Sequence, residues 1–218
     1  MNFGNEKWKH WKGEIGCIRC SRTQKQMNSS DVNKRSFHRY MLMHDRPPDE
    51  RHVRVMFWSL VQDLQRWHQQ GRYHLDIRIN TILHGPNQWV LSLEPSRFEQ
   101  HSTVCSSASI PCPPHAYMPP ELILRVPQVD CESCDVYSLG ICLFAMSTLR
   151  MPYKLANWTD SRYRLVQKEG LKALVKLENI PISDGLVHLL SQMLCEDPRK
   201  RLTLDGVARH FWLFGGGW

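Results

Sequence analysis

The 218-residue sequence predicts a mainly α-helical domain that also contains short β-hairpins. Three observations indicate this fold class. Apolar residues recur at helical spacing between residues 53 and 67, residues 134–146 are apolar on almost every side, and apolar residues again follow helical spacing from 186 to 193. Hydrophobic residues make up 42% of the chain, which argues against disorder, and the length favours one domain.

The first elements are predicted to be a short strand followed by an amphipathic helix. The stretch FHRYMLM at Phe37–Met43 is rich in aromatic and long apolar side chains, and the DRPP sequence at 45–48 ends it. Asp49 and Glu50 then provide the acidic start that is typical of a helix, and Gly71 ends it.

The middle of the chain is predicted to hold a hairpin and a long loop. Short apolar stretches at 80–83 and 89–93 flank an HGPN turn sequence, which favours two paired strands. Residues 95–120 are rich in Ser, Pro and Cys and have little periodicity, so we predict a surface loop. The remainder is predicted to be helical, with a last short helix at Val207–Leu213.

The positive charge is concentrated at the start of the chain. The formal net charge is +7, of which residues 1–54 contribute 12 Lys/Arg against 6 Asp/Glu, a net of +6. A solvated basic arm explains this composition, and binding of nucleic acid or an acidic partner is the alternative, although no nucleic-acid-binding motif supports it.

Composition also bears on the cellular compartment. No signal peptide is visible, and the uncharged, mainly apolar run at 136–149 has 14 residues and is shorter than a membrane span. Eight Cys are too few for a disulfide scaffold, so we expect reduced thiols in the cytoplasm or nucleus and no membrane partner.

Two C-x-x-C pairs have the spacing of zinc ligands. They are Cys17/Cys20 and Cys131/Cys134, and the pairs are about 110 residues apart, which does not fit a compact zinc ribbon. The second pair also lies at the start of the predicted buried helix. We therefore predict no metal site.

Four motifs occur in an order that is informative as a set. The sequence HLDIR at 74–78 is similar to an HRDLK loop, MPPE at 118–121 to an APE motif, and DVYSLG at 135–140 to DxWSxG. Residues 189–213 are similar to L-x-x-M-L-x-x-D-P-x-x-R-x-[ST] followed by H-P-W-[FL]. Together these motifs resemble the large helical C-lobe of the eukaryotic protein kinase superfamily, closest in type to its serine/threonine kinases.

The resemblance implies three segments. Residues 1–36 are the basic N-terminal segment, 37–48 are a remnant of the N-lobe and hinge, and 49–214 are the kinase-like C-lobe. No G-x-G-x-x-G occurs, and residues 1–50 contain no V-A-I-K-like lysine with a partner glutamate. We therefore expect only a remnant of the β-rich N-lobe.

The resemblance assigns Asp76 the role of proton acceptor for a substrate hydroxyl. Arg78 replaces the lysine that contacts the transferred phosphate. Thr81 occupies the position of the Mg²⁺-binding Asn, where a hydroxyl is a poorer ligand, and Glu94 occupies that of the DFG aspartate. Thr81 and Glu94 are therefore degenerate Mg-ATP positions.

Four further residues have structural roles in the family. His74 packs behind the catalytic loop, Glu121 pairs with Arg201 to anchor the long loop, and Asp135 braces the catalytic loop.

The loop at Ser102–Pro114 occupies the activation-segment position and contains phosphorylatable hydroxyls. Leu75 replaces the arginine that would receive a phosphate, so we expect a loop that is not controlled by phosphorylation.

These substitutions predict a catalytically impaired kinase-like protein, a pseudokinase that binds a protein partner as a scaffold or regulator of signalling and needs no cofactor. The alternative is an active Ser/Thr protein kinase, or a fragment or isoform of one, that transfers phosphate from Mg-ATP to protein hydroxyls with Asp76 as base. A second alternative is binding of nucleic acid or acidic partners by the basic N-terminal segment. The sequence leaves open whether the protein is an enzyme.

Overall fold

The computed structural model describes residues 36–84, 91–94, 96, 98–110 and 114–214. The α-helices of these residues are α1 (Phe37–Met43), α2 (Glu50–Gln69), α3 (Pro120–Ile123), α4 (Cys131–Thr148), α5 (Ser161–Glu169), α6 (Leu171–Leu177), α7 (Asp184–Met193), α8 (Leu204–Ala208) and α9 (Phe211–Phe214), and short 3-10 helices lie at Ser107–Ser109 and His115–Tyr117. The strands are β1 (Ile82–His84), β2 (Leu91–Leu93), β3 (Val104–Ser106) and β4 (Gln128–Asp130). This architecture confirms the predicted mainly α fold class with short hairpins.

The predicted amphipathic helix is confirmed as α2. The Asp49 side chain caps it by accepting a hydrogen bond from the backbone N–H of His52 at 2.9 Å. One face, which includes Phe57 and Leu64, is fully buried, and Gly71 follows the helix end with φ +67, a backbone conformation that glycine adopts without a Cβ penalty.

Helix α4 passes through the centre of the core. Asp130 caps it by accepting from the Ser133 N–H at 3.2 Å, and nearly every side chain along its length is buried. A Cβ at Gly140 would lie 3.0 Å from the Met193 Cβ and 3.1 Å from the Leu194 Cδ2. The absence of a side chain at this position therefore lets α4 and α7 approach each other closely.

The described residues contain two antiparallel strand pairs. β1 pairs with β2 in the register Ile82↔Leu93, which confirms the predicted hairpin. β3 pairs with β4 in the register Val104↔Asp130, so the prediction of a surface loop throughout 95–120 is wrong in part. A three-residue strand whose partner lies more than 20 residues away has no local periodicity to reveal it.

The strand predicted at Phe37–Met43 is wrong, because these residues form α1. Phe37 is fully buried and its ring stacks on Tyr40 at 5.1 Å, while Tyr40 stacks on His44 at 3.9 Å. Aromatic residues three and four apart share a helical face, and that spacing outweighed their strand propensity.

The single helix predicted at Val207–Leu213 is also wrong, because α8 and α9 are separate. The chain turns at His210, whose Nδ1 accepts from the Trp212 N–H at 3.1 Å and so satisfies a donor at the start of α9.

A buried ion pair fastens α3 to the C-terminal helices. Arg201 donates from Nη1 to Glu121 Oε1 at 2.7 Å and from Nη2 to Oε2 at 3.0 Å. Nη1 also donates to the Ser133 carbonyl at 2.8 Å, and Nε to the Cys195 carbonyl at 3.1 Å. The bidentate geometry and the additional carbonyl acceptors compensate for the desolvation of both charges.

No helix in the described ranges combines the length and the apolar character that crossing a bilayer requires.

Replacing Arg201 with Met should strongly destabilise the protein, because the Glu121 carboxylate stays buried without its partner. We expect the free energy of unfolding, measured by urea denaturation, to fall by about 3–5 kcal/mol. Arg199→Met is the matched control, since this guanidinium contacts Asp197 on the surface and its loss should leave the urea midpoint nearly unchanged. Equal effects of the two substitutions would contradict the structural role of the buried pair.

Candidate functional site

The loop between α2 and β1 is held by one fully buried carboxylate. Asp135 Oδ2 accepts from the His74 N–H at 2.7 Å, and Oδ1 accepts from the Leu75 N–H at 2.7 Å. His68 Nε2 lies 3.0 Å from Oδ2. Leu75 has φ 54, which costs a branched L-residue about 1–2 kcal/mol, and the carboxylate fixes this conformation from both amides.

His74 joins the catalytic-loop residues to the chain that follows β2. Its Nε2 lies 2.8 Å from the Glu94 carbonyl, and its Nδ1 accepts from the Asp76 N–H at 3.2 Å. A carbonyl can only accept, so the tautomer with hydrogen on Nε2 satisfies both contacts. The side chain, which is fully buried, therefore sets the spacing between Asp76 and Glu94.

Asp76 is 8% exposed and faces Arg78. Arg78 Nη2 donates to Asp76 Oδ2 at 3.2 Å, whereas Arg78 Nε lies 2.9 Å from Oδ1 without the alignment of a hydrogen bond. Burial raises the pKa of Asp76, and the positive charge of Arg78 opposes that rise. A carboxylate of raised pKa is a stronger base than an exposed one, so this group retains the capacity to accept a proton.

The Thr81 hydroxyl is engaged in the turn of its own loop. Oγ1 accepts from the Arg78 N–H at 3.1 Å and lies 2.9 Å from the Asp76 carbonyl and 3.0 Å from the Arg78 carbonyl. Its single hydrogen goes to one of these carbonyls, and the side chain is only 6% exposed. Thr81 therefore stabilises the loop at the position where the family has its metal-binding Asn.

Glu94 completes the group. Its backbone N–H donates to the Thr81 carbonyl at 2.8 Å, and the negative charge of its side chain contributes to the raised pKa of Asp76. The structure thus brings together five predicted residues, namely His74, Asp76, Arg78, Thr81 and Glu94.

The donor set fits Mg²⁺ poorly. Mg²⁺ prefers an octahedral shell of oxygens from carboxylates, phosphates and water. Here the Asp76 carboxylate pairs with Arg78, the Thr81 oxygen is buried in hydrogen bonds to its own loop, and Glu94 supplies one carboxylate. No group of three or more His, Cys, Asp or Glu side chains within the described ranges has a metal-binding arrangement.

The remaining predicted residues lie in the supporting framework. Glu121 and Arg201 pair with each other, and Asp135 holds the catalytic loop. Cys134 Sγ donates to Glu121 Oε1 at 3.6 Å, while Cys17 and Cys20 lie outside the described residues.

Sequence reasoning missed the contacts that fix the start of the activation segment. Tyr73 and Gln100 exchange backbone hydrogen bonds of 2.8 and 3.0 Å, and the Tyr73 hydroxyl lies 2.8 Å from Thr103 Oγ1. Arg72 forms an ion pair with Glu99. These pairs are 27–30 residues apart in sequence, so no local pattern could have identified them.

Leu75, in place of an arginine, packs into an apolar cluster beneath the same segment. Its buried neighbours in that cluster include Ile110, Met118 and Leu122. The position that would receive a phosphate in the family therefore contributes to hydrophobic packing here.

The sequence matches the family model of the protein kinase domain over residues 18–213. It is 28% identical to maternal embryonic leucine zipper kinase of Xenopus laevis over 184 residues, which cover 81% of this chain and 26% of that protein. It is 24% identical to the SNF-related serine/threonine-protein kinase of Rattus norvegicus, covering 81% of this chain and 23% of that protein. The probable serine/threonine-protein kinase MARK-B of Dictyostelium discoideum is 32% identical over 53% of this chain and 15% of its own length. The chain thus spans about a quarter or less of these relatives.

The raised pKa of Asp76 predicts a pH-dependent loss of stability. The folded state holds this proton more tightly than the unfolded state, whose pKa is near the ordinary 3.8, so stability falls as pH rises from there through the folded pKa. Asp76→Asn cannot ionise and so avoids this loss of stability. Its urea midpoint should therefore exceed that of the wild type at about pH 7, and the difference between the two midpoints should become smaller towards about pH 4. Asp205→Asn, on the surface, serves as the control. A pH-independent gap, or a lower midpoint for Asp76→Asn, would contradict the prediction.

Proposed function

Because the chain belongs to the protein kinase family, we propose that it is a catalytically impaired kinase-like protein that acts by binding a protein partner. The proposal concerns the span that it shares with its relatives, which are named as protein kinases and of which that span covers 15–26%.

The observation that carries the proposal is the state of the Thr81 side chain. A metal-binding residue must direct an uncommitted oxygen towards the nucleotide, whereas the Thr81 oxygen is buried between two carbonyls and an amide of its own loop. The Asp76 carboxylate, in the same loop, already faces the Arg78 cation. Both groups therefore make contacts within their own loop.

The activation segment supports a binding role. Backbone pairing of Tyr73 with Gln100 and of β3 with β4 holds it on both sides, and Leu75 packs beneath it. None of these contacts requires a phosphate. The described part of the segment, 102–110, is therefore held by these contacts, as the binding surface of a scaffold or regulator of signalling requires. We propose the cytoplasm or nucleus for this role, since eight Cys are too few for a disulfide scaffold.

An active Ser/Thr protein kinase is the second candidate, and Asp76 favours it. The residue keeps the position of the base, its pKa is raised, and Arg78 provides a cation next to it. When bound, Mg-ATP would supply the transferred phosphoryl group. The protein itself would contribute Asp76, which would accept the proton, and Arg78, which would position the Asp76 carboxylate.

A nucleotide-binding test separates the two candidates. For an impaired protein, millimolar Mg-ATP should shift the thermal unfolding midpoint by less than about 1 °C, since stabilisation requires a ligand well above its Kd. Phosphate transfer to a generic protein substrate from the wild type should equal that from Asp76→Ala.

Asp205→Ala is the matched control for that assay, because it removes an exposed carboxylate that is distant in sequence from the catalytic loop. A shift of several degrees, together with activity that Asp76→Ala abolishes and Asp205→Ala keeps, would replace the proposal with the active kinase.

A further inference from the structure

Two cysteines, one in the activation segment and one at the start of α4, are in contact. Cys105 Sγ in β3 lies 2.8 Å from Cys131 Sγ, the first residue of α4, and both are free thiols. The strand register explains this proximity. Cys105 lies opposite Val129 in the β3–β4 pair, and the Cys131 N–H donates to the Thr103 carbonyl at 2.8 Å, which continues the ladder by one step. The two side chains therefore occupy the same face of the two-stranded sheet.

The two thiols differ in accessibility. Cys131 is fully buried, whereas Cys105 is partly exposed. Burial, together with the neighbouring Cys105, raises the pKa of the Cys131 thiol. Oxidation by a solvent-borne reagent therefore begins at Cys105, because exposure and thiolate character govern which sulfur reacts.

We propose that Cys105 and Cys131 form a reversible disulfide that fastens the activation segment to helix α4. Hydrogen peroxide, a two-electron oxidant, is the co-reactant. The Cys105 thiolate attacks the peroxide, the O–O bond breaks, and Cys105 becomes a sulfenic acid while hydroxide leaves and takes up the proton that the thiol had released, forming water. The Cys131 sulfur then attacks the Cys105 sulfur, the S–O bond breaks, and the thiol proton leaves with the hydroxyl group as water. Two thiols are oxidised and one peroxide is reduced to two waters.

The position of the pair gives the bond a structural consequence. The cysteines are 26 residues apart, and the loop between them includes Met118 and Glu121. Thr103, which directly precedes β3, contacts Tyr73 next to the catalytic loop. A covalent bond would thus fix the segment to α4, the helix that carries Asp135. This inference is independent of whether the protein transfers phosphate.

Peptide mapping tests the bond directly. The full chain is treated with about one equivalent of hydrogen peroxide, its remaining thiols are alkylated, and it is digested without reduction. We expect one linked peptide pair containing Cys105 and Cys131, which disappears after thiol reduction. Linkage of Cys105 to Cys112 or Cys134, a link between two chains, or sulfinic acid at Cys105 without a linked pair would overturn the proposal.

Thermal unfolding supplies a second test. A disulfide that closes a loop of this length should raise the unfolding midpoint of the oxidised protein by about 5–10 °C over the reduced form. Cys105→Ser should abolish that rise. Cys195→Ser, which removes another partly exposed cysteine, should keep it. An oxidised wild type with no rise, or a rise that survives in Cys105→Ser, would overturn the proposal.

Discussion

The placement of the candidate site depends on the buried carboxylate of Asp135. It accepts the backbone N–H groups of His74 and Leu75 at 2.7 Å each and contacts His68 at the end of α2. An unpaired carboxylate at zero exposure would be very costly, so its environment must supply donors, and the catalytic loop supplies two of them. This requirement keeps Leu75 in a left-handed conformation and turns Asp76 towards Arg78.

The first turns of α4 connect the other parts of the structure to that carboxylate. Cys131 contacts the activation-segment strand, and the Ser133 carbonyl and hydroxyl accept from Arg201, which holds Glu121. These contacts form a framework of buried polar groups around the start of α4, whereas Thr81 and Glu94 differ in type from the residues at the matching positions of the family. A protein that binds rather than catalyses needs the framework and tolerates changes at Thr81 and Glu94.

Periodicity alone was enough to predict α2, α4 and α7, because each has a long pattern of buried apolar residues. It failed at Phe37–Met43, where aromatic strand propensity competed with stacking along one helical face. It also failed at β3, whose three residues pair with a distant segment. For the site, the motif order was sufficient to select His74, Asp76, Arg78, Thr81 and Glu94, but their hydrogen-bond partners were not predictable.

The sequence by itself determined the helical fold class, the kinase family and the identity of the substituted positions, since these depend on local periodicity and on ordered residue types. Only the tertiary structure decided that Thr81 is committed to its own loop, that Arg78 faces Asp76, and that two cysteines 26 residues apart meet. The physical reason is that these contacts depend on backbone turns and on pairing between distant segments. Such geometry arises only once the core has packed and the buried polar groups have found their partners.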